Sequence, residues 1–147
     1  MYVYEEMQKV LDKRIPEVLN MPEFFKDKLT FVMGNEDIPT YCYYELLEHL
    51  FVGLITCELK DDDLLERILD FMEDMANSED AMVGNLMQIQ ILEGLFGLDH
   101  DVFLKMEKKL RPKTKQSLEE VKHGFFEPNG YAPKKINSLN TKKKKMK

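Results

Sequence analysis

The sequence predicts an all-α protein in which antiparallel helical hairpins pack as a bundle or a short HEAT-like stack of about six to seven helices. Three observations support this. Apolar residues recur at helical spacing, no alternating strand pattern of useful length occurs, and short polar turns separate the periodic segments. With 147 residues the chain suffices for one domain with its own core. We expect this domain to cover residues 1–131, followed by a lysine-rich, disordered tail at residues 132–147.

Two helices are predicted before residue 36. Pro16 ends or restarts the first of them, and the second covers about residues 22–33 and closes at Gly34. The apolar stripe of the first helix consists of Val3, Met7, Val10, Leu11 and Ile15.

A third predicted helix covers about residues 41–58, with Thr40 as its candidate N-cap. This segment is apolar around most of its girth, so we expect it to lie centrally. Cys42 and Cys57 fall within its apolar pattern. We therefore expect two reduced, buried thiols rather than a disulfide.

A fourth helix is predicted for residues 62–76, where apolar residues form one broad face. Asp61 or Asp62 is its expected N-cap, and the neighbouring acids lie in the first turn, where the helix dipole favours them. Arg67 is spaced to meet Asp63 and Asp70 on the helix surface.

Three more helices complete the predicted domain. The fifth begins with Glu79 and Asp80 and ends at Gly97, the sixth covers residues 101–110 with Asp99 as its cap, and the seventh covers about residues 114–123. The predicted core positions of the fifth helix are Met82, Val83, Leu86, Ile89, Leu92 and Phe96.

Charge is distributed very unevenly along the chain. The net charge is −6, yet residues 36–101 contain seventeen acidic and two basic residues, and residues 132–147 contain seven lysines and no acid. The acidic part is expected to repel nucleic acid and attract a basic macromolecule. The lysine tail has three interpretations: a weak, salt-sensitive contact with nucleic acid or anionic lipid, a solubilising segment, or a segment that folds back on the protein's own acidic surface.

The predicted binding surface follows from charge that local helix formation does not require. Repulsion along the exposed side of the fourth helix costs stability, which favours a role in binding a partner over a purely solvated face. Three tyrosines within four positions cannot all face inward, and exposed tyrosines are typical of recognition surfaces; a packed ring with a wet hydroxyl is the alternative for each. The predicted partner-binding residues are Asp62, Asp63, Glu66, Asp70, Glu73, Asp74, Tyr41, Tyr43 and Tyr44.

No metal, cofactor or catalytic site is expected. The consecutive acids at residues 61–63 lack the alternating ligands and the glycine of an EF-hand loop. His49 lies between two cysteines without the ligand spacing of a zinc site. Serines in a nucleophile elbow and glycine-rich phosphate loops are missing as well.

Localisation is predicted to be cytoplasmic. The first ten residues contain acids where a signal peptide needs positive charge, and no segment of the sequence approaches the length of a membrane span. We therefore expect no membrane partner; the sequence leaves the oligomeric state open.

A pattern-level resemblance covers about residues 64–122. Its features are FMEDM at residues 71–75, ILEGL at residues 91–95, and LRPKT at residues 110–114, which enters the last helix. In these the chain resembles small α-helical bacterial immunity proteins of polymorphic and contact-dependent toxin systems. The resemblance implies a non-enzymatic protein that neutralises a cognate toxin, often a basic nuclease, through an acidic surface. It implies no particular site residues, because such interfaces differ between pairs.

Three functional hypotheses follow. The first is an immunity protein that captures a basic toxin domain. The second is a helical-repeat adaptor that binds a peptide or helix of a regulatory partner in a methionine-rich groove. The third is a hydrolase or metal-dependent enzyme, which requires a pocket that joins His49 or His100 to several carboxylates.

Overall fold

The computed structural model describes residues 2–21 and 38–126, apart from the side chains of residues 125 and 126. In this part of the chain the protein is an all-α helical bundle with no β-strand, which confirms the predicted fold class. None of the described helices is long and apolar enough to cross a membrane. The predicted helix at about residues 22–33 and the predicted tail at 132–147 lie outside the described residues.

The helices follow the predicted order, with differences at their ends. Short 3₁₀ turns at Tyr4–Glu6 and Pro16–Asn20 flank the first one. The α-helices are α1 (Met7–Arg14), α2 (Thr40–Tyr43 and, after one turn residue, Glu45–Ile55), α3 (Asp62–Ala76), α4 (Ala81–Leu86), α5 (His100–Lys109) and α6 (Pro112–Phe126). Helix α4 continues as a π-helix over Met87–Leu92 and a 3₁₀ turn over Glu93–Gly97.

Helix α3 lies in the middle of the bundle and packs against α2, α4 and α6. Its buried face matches the predicted apolar face. At its centre Phe71 is completely buried, with its ring 5.9 Å from the ring of Tyr2 and 6.5 Å from that of Tyr44. Burial of each large apolar side chain stabilises the fold by about 1.5–3 kcal/mol. The buried residues of α3 are Leu64, Leu65, Ile68, Leu69, Phe71, Met72 and Met75.

The start of α2 differs from the prediction. Pro39 occupies the N-cap position and makes no side-chain cap bond, so the prediction for Thr40 is wrong. The Thr40 hydroxyl instead accepts a hydrogen bond from Gln8 Nε2 at 3.2 Å, which ties α2 to α1.

The end of α2 comes at Ile55, three residues before the predicted end. Cys57 adopts a left-handed conformation with φ of 67°, which a helix cannot continue through. Both thiols are free, but Cys57 is exposed and Cys42 half-buried, so the predicted burial is wrong.

The predicted core positions of α4 and the segment after it are confirmed only in part: Val83, Leu86 and Leu92 are completely buried. Met82 and Ile89, which the sequence places in the core, are 50% and 48% exposed. The π-helix at Met87–Leu92 has more residues per turn than an α-helix, which turns Ile89 out of the predicted buried face, whereas Met82 lies before it, in the first turn of α4. The completely buried residues from α4 to the end of the 3₁₀ turn are Val83, Leu86, Met87, Ile91, Leu92 and Leu95.

The methionines that the adaptor hypothesis places in a groove belong mostly to the core. Met72, Met75 and Met87 are completely buried, and only Met82 of this set is exposed. A groove lined by these four side chains therefore does not form.

The starts of α3, α4 and α5 agree more closely with the prediction than the start of α2 does, because a helix cap depends on neighbouring residues. Asp61 caps α3 by accepting from Leu64 N at 3.0 Å. Asp80 caps α4 by accepting from Met82 N at 2.9 Å, so it precedes the helix instead of lying in its first turn. Asp99 is at the N-cap position of α5 but makes no cap bond.

Candidate binding surface on helix α3

The exposed side of α3 displays the acidic residues that the sequence singles out. An amphipathic helix with a buried stripe leaves its polar residues on the opposite side, and most of these carboxylates are exposed. The described structure also gives most of them partners elsewhere in the chain.

Arg111, in the turn between α5 and α6, binds two carboxylates of this helix. Its Nη2 donates to Glu66 Oε1 at 2.6 Å and its Nε donates to Asp70 Oδ1 at 3.0 Å. These bonds, led by the one to Glu66, raise the pKa of the guanidinium although partial burial opposes the shift. The side chains of Glu66 and Asp70 remain 59% and 61% exposed, so each pair contributes only about 0.2–1 kcal/mol.

Glu73 caps helix α6 from outside that helix. Its Oε2 accepts from Lys113 N at 3.0 Å, and its Oε1 accepts from Thr114 N at 2.9 Å and from the Thr114 hydroxyl at 3.0 Å. The first amides of a helix have no intrahelical partner, and a carboxylate also complements the dipole there. Thr114 is completely buried, so Glu73 satisfies a polar group that water does not reach.

Arg14 of α1 binds the acidic side of α3 near the C-terminal end of that helix. Its Nη1 donates to Asp74 Oδ2 at 2.9 Å and to the Tyr2 hydroxyl, and its guanidinium lies 5.0 Å from the centre of the Phe71 ring. Burial is the largest single influence and acts to lower the pKa of Arg14, but the hydrogen bonds and electrostatic interactions with Asp74 and Tyr2 together outweigh it, and the pKa is raised.

Arg67 binds two carboxylates near the N-terminal end of α3. It donates to Asp63 Oδ2 at 3.0 Å, as the sequence predicts, but its second partner is Glu17, not Asp70. The hydrogen bond from Arg67 lowers the pKa of Glu17.

The surface nevertheless keeps a negative surplus. Five of the seven carboxylates around α3 pair with three guanidinium groups, so the carboxylates outnumber these guanidinium groups by four. Asp62 is exposed and makes no ion pair with any described residue. We call this set, defined by Glu17, Asp62, Asp63, Glu66, Asp70, Glu73 and Asp74, the acidic surface.

The three tyrosines do not join this surface. Tyr44 is completely buried and its hydroxyl donates to Met7 O at 2.7 Å, so it has no surface to offer a partner. Tyr43 donates to Asp12, and the ring of Tyr41 lies 6.2 Å from that of Tyr4. Burial is the main cause that raises the pKa of all three hydroxyls.

Helix α1 lies between the tyrosines and the acidic surface. Asp12 of α1 binds Tyr43 whereas Arg14 of α1 binds Asp74. Positions two apart on an α-helix point about 200° apart, so these two contacts lie on opposite sides of α1.

A shallow groove of about 270 Å³ joins His49 to two carboxylates, those of Glu45 and Glu48. Glu48 Oε1 accepts from Gln90 Nε2 at 3.1 Å. The described residues nevertheless contain no group of three or more histidines, cysteines and acids placed to hold a metal ion. The enzyme hypothesis requires a pocket that joins a histidine to several carboxylates. This groove meets that requirement only because His49, Glu45 and Glu48 line it together.

Glu48→Gln is expected to raise the melting temperature at pH 7 and to change it little at pH 4. Burial, with a smaller contribution from Glu45, raises the pKa of Glu48 above its ordinary 4.5. A carboxyl with a raised folded pKa favours the fold below 4.5 and loses that contribution as the pH rises through the folded pKa. Melting curves of both proteins between pH 4 and 8 measure this, and Glu45→Gln should give a smaller pH-dependent difference because it removes only the smaller cause of the raised pKa. A constant difference across the range would contradict it.

Sequence reasoning missed the residues that bind the acidic surface. Arg14, Arg111 and Thr114 are 41 or more positions away from their α3 partners, and no local pattern pairs them. Sequence reasoning also missed a cluster of exposed lysines around the α5–α6 turn. The density of lysines in this part of the sequence was the one signal that could have indicated the cluster. The lysines of this cluster are Lys105, Lys108, Lys109, Lys113 and Lys115.

A known protein family matches most of the chain. The family described as "Domain of unknown function (DUF7674)" matches residues 10–125. No curated protein and no solved structure matches the chain.

Proposed function

We propose that this chain, which belongs to the DUF7674 family of unknown function, is a binding protein that captures a basic partner protein on its acidic surface. In its most specific form the proposal is an immunity protein that neutralises a cognate, nuclease-like toxin domain, as the sequence resemblance implies. It is non-enzymatic and acts in the cytoplasm.

The observation that carries the proposal is the charge of the described body of the protein. Residues 38–101 contain fifteen acidic and two basic residues, and most of the acids are at least partly exposed. A potential of this sign attracts a basic protein and speeds its diffusional encounter.

The intramolecular ion pairs support binding as well as folding. Arg67 and Arg111 each hold two carboxylates in place; those of Asp63, Glu66 and Asp70 stay largely exposed, and that of Glu17 stays partly exposed. Ordered carboxylates lose less side-chain entropy when a partner's lysine or arginine arrives. The three tyrosines take no part in this interface because they lie outside the acidic surface, and Glu73, although it belongs to that surface, takes none because it caps α6.

Asp62→Lys combined with Glu66→Lys is expected to slow association with a basic partner at least about tenfold at low salt, because electrostatic steering governs the encounter rate. The matched control is Glu5→Lys with Glu6→Lys, which changes the charge equally. Tyr4 N binds Asp80, just beyond the C-terminal end of α3, so the control acids lie far from Asp62 at its start.

The measurement is binding to the purified C-terminal domain of the secreted protein encoded next to this chain, at about 50 and about 500 mM salt. Equal loss of binding in the control pair contradicts the assignment of the surface. A neighbouring gene for a large secreted protein with a variable C-terminal domain is expected, and its absence contradicts the immunity form of the proposal.

A further inference from the structure

A groove of about 320 Å³, lined by leucines and by charged residues, lies between the end of α2 and the start of α3. Leu54 and Leu65 line it and are 6% and 8% exposed, whereas Leu59 is 44% exposed. Its volume is at the lower end of ligand sites and suits one or two aliphatic side chains better than a cofactor.

The wall of this groove is fixed by the chain that follows α2. Leu59 N donates to Gly53 O at 2.9 Å, and a Cβ at Gly53 would come within 2.9 Å of Leu59 Cδ1. The glycine therefore lets the Leu59 side chain lie directly against the helix. Leu59 remains exposed although its position is defined, as expected of a contact residue.

The rim of the groove is acidic. Asp61 and Asp62 line it, Glu58 precedes them in the same loop, and Lys60 is the one basic residue among the lining residues. An apolar floor with an acidic rim selects a segment that combines aliphatic side chains with lysine or arginine.

The chain contains such a segment after α6. Ile136 and Leu139 are three residues apart, Lys134 and Lys135 precede them, and four consecutive lysines follow at residues 142–145. Residues 132–147 contain seven lysines and no acid. The described residues, by contrast, contain 22 acidic and 12 basic residues.

We propose that this C-terminal segment docks in the groove, with Ile136 and Leu139 against Leu59 and Leu65 and with its lysines on the acidic rim. The groove is thereby a binding site for the chain's own tail. A basic partner that uses Asp62 competes with the tail, but the docking itself does not depend on the proposed function.

The chain is long enough for this contact. Ile136 and Leu139 are ten and thirteen residues beyond Phe126, which allows about 33–45 Å of reach. A domain of this size has a radius of gyration of about 14 Å, so most of its surface is within that reach. Tethering also gives the segment an effective concentration of about a millimolar, so even a weak site is substantially occupied.

Cys57 provides the test, because this exposed thiol lines the groove. In the 147-residue chain with Cys42→Ser, the alkylation rate of the Cys57 thiolate by neutral iodoacetamide is measured across a pH series. Two variants disable docking: Lys142, Lys143, Lys144 and Lys145 all to Gln, and Ile136→Gln with Leu139→Gln. Both are expected to raise the thiolate rate about threefold or more at about 50 mM salt.

The control variant, Asn137→Gln with Asn140→Gln, is expected to react like the parent chain. At about 500 mM salt the lysine variant and the parent should converge. Equal rates in all four proteins at low salt would overturn the proposal. Protection that disappears on dilution would also overturn it, because the occupant would then be a second copy of the chain.

Discussion

Replacement of Glu73 by alanine is expected to lower the free energy of unfolding by about 2–4 kcal/mol. The substitution removes three hydrogen bonds at once, two to the first amides of α6 and one to the buried Thr114 hydroxyl. Loss of a helix cap costs about 0.5–2 kcal/mol, and an unsatisfied buried polar group costs about 1–3 kcal/mol more. Chemical denaturation followed by circular dichroism measures the change.

The matched control is Glu66→Ala, seven residues earlier on the same side of α3. Glu66 loses one exposed ion pair with Arg111, so its expected cost is about 0–1 kcal/mol. Glu73→Gln should lie between the two, because an amide oxygen retains the bonds to Thr114 while its NH₂ group faces Lys113 N. Equal costs for the alanine substitutions at residues 66 and 73 would refute the capping role.

Phe71→Ala is expected to cost about 3–5 kcal/mol, as for other fully buried aromatic side chains. The ring is completely buried at the centre of α3, between the rings of Tyr2 and Tyr44 and beneath the Arg14 guanidinium. Its removal leaves a cavity, deprives both tyrosines of an aromatic contact and loosens the Arg14–Asp74 pair.

A comparison within the protein tests this account. Phe103 also has an aromatic neighbour, Phe96 at 5.6 Å, and a cation, Lys122 at 5.8 Å, but it is only partly buried. Phe103→Ala should therefore cost clearly less than Phe71→Ala in the same denaturation experiment. The Phe71 substitution should also reduce the effect of Asp74→Ala, since residues that share a partner are not additive. Additive effects would show that the ring does not position Arg14.

These expectations separate two roles on the exposed side of α3. Glu73 acts in folding, since its three bonds order the start of α6. Asp62 has no such partner among the described residues, while Glu66 and Asp70 share a single guanidinium. Charge reversal of all the acids together would therefore confuse loss of binding with loss of stability.

The sequence predicted helices well where their bounds depend on interactions between neighbouring residues. The bounds of α3 agree with the prediction, because Asp61 caps the helix and its apolar face follows a regular period. The prediction failed in part for α4 and the segment after it: the π-helix at Met87–Leu92 turns Ile89 out of the predicted buried face, and Met82, in the first turn of α4, is exposed as well. Tertiary packing decides such a change of register, and the periodic spacing of apolar residues in the sequence does not reveal it.

By itself the sequence determined the all-α class, the course of α3 and the concentration of negative charge along it. These properties follow from composition, periodicity and capping, which act over a few residues. Tertiary structure alone decided which charges meet: Arg14, Arg111 and the first turn of α6 come from distant parts of the chain to bind α3. Their positions depend on how the helices pack, because a charge pair forms only where the fold brings its two groups within a few ångströms.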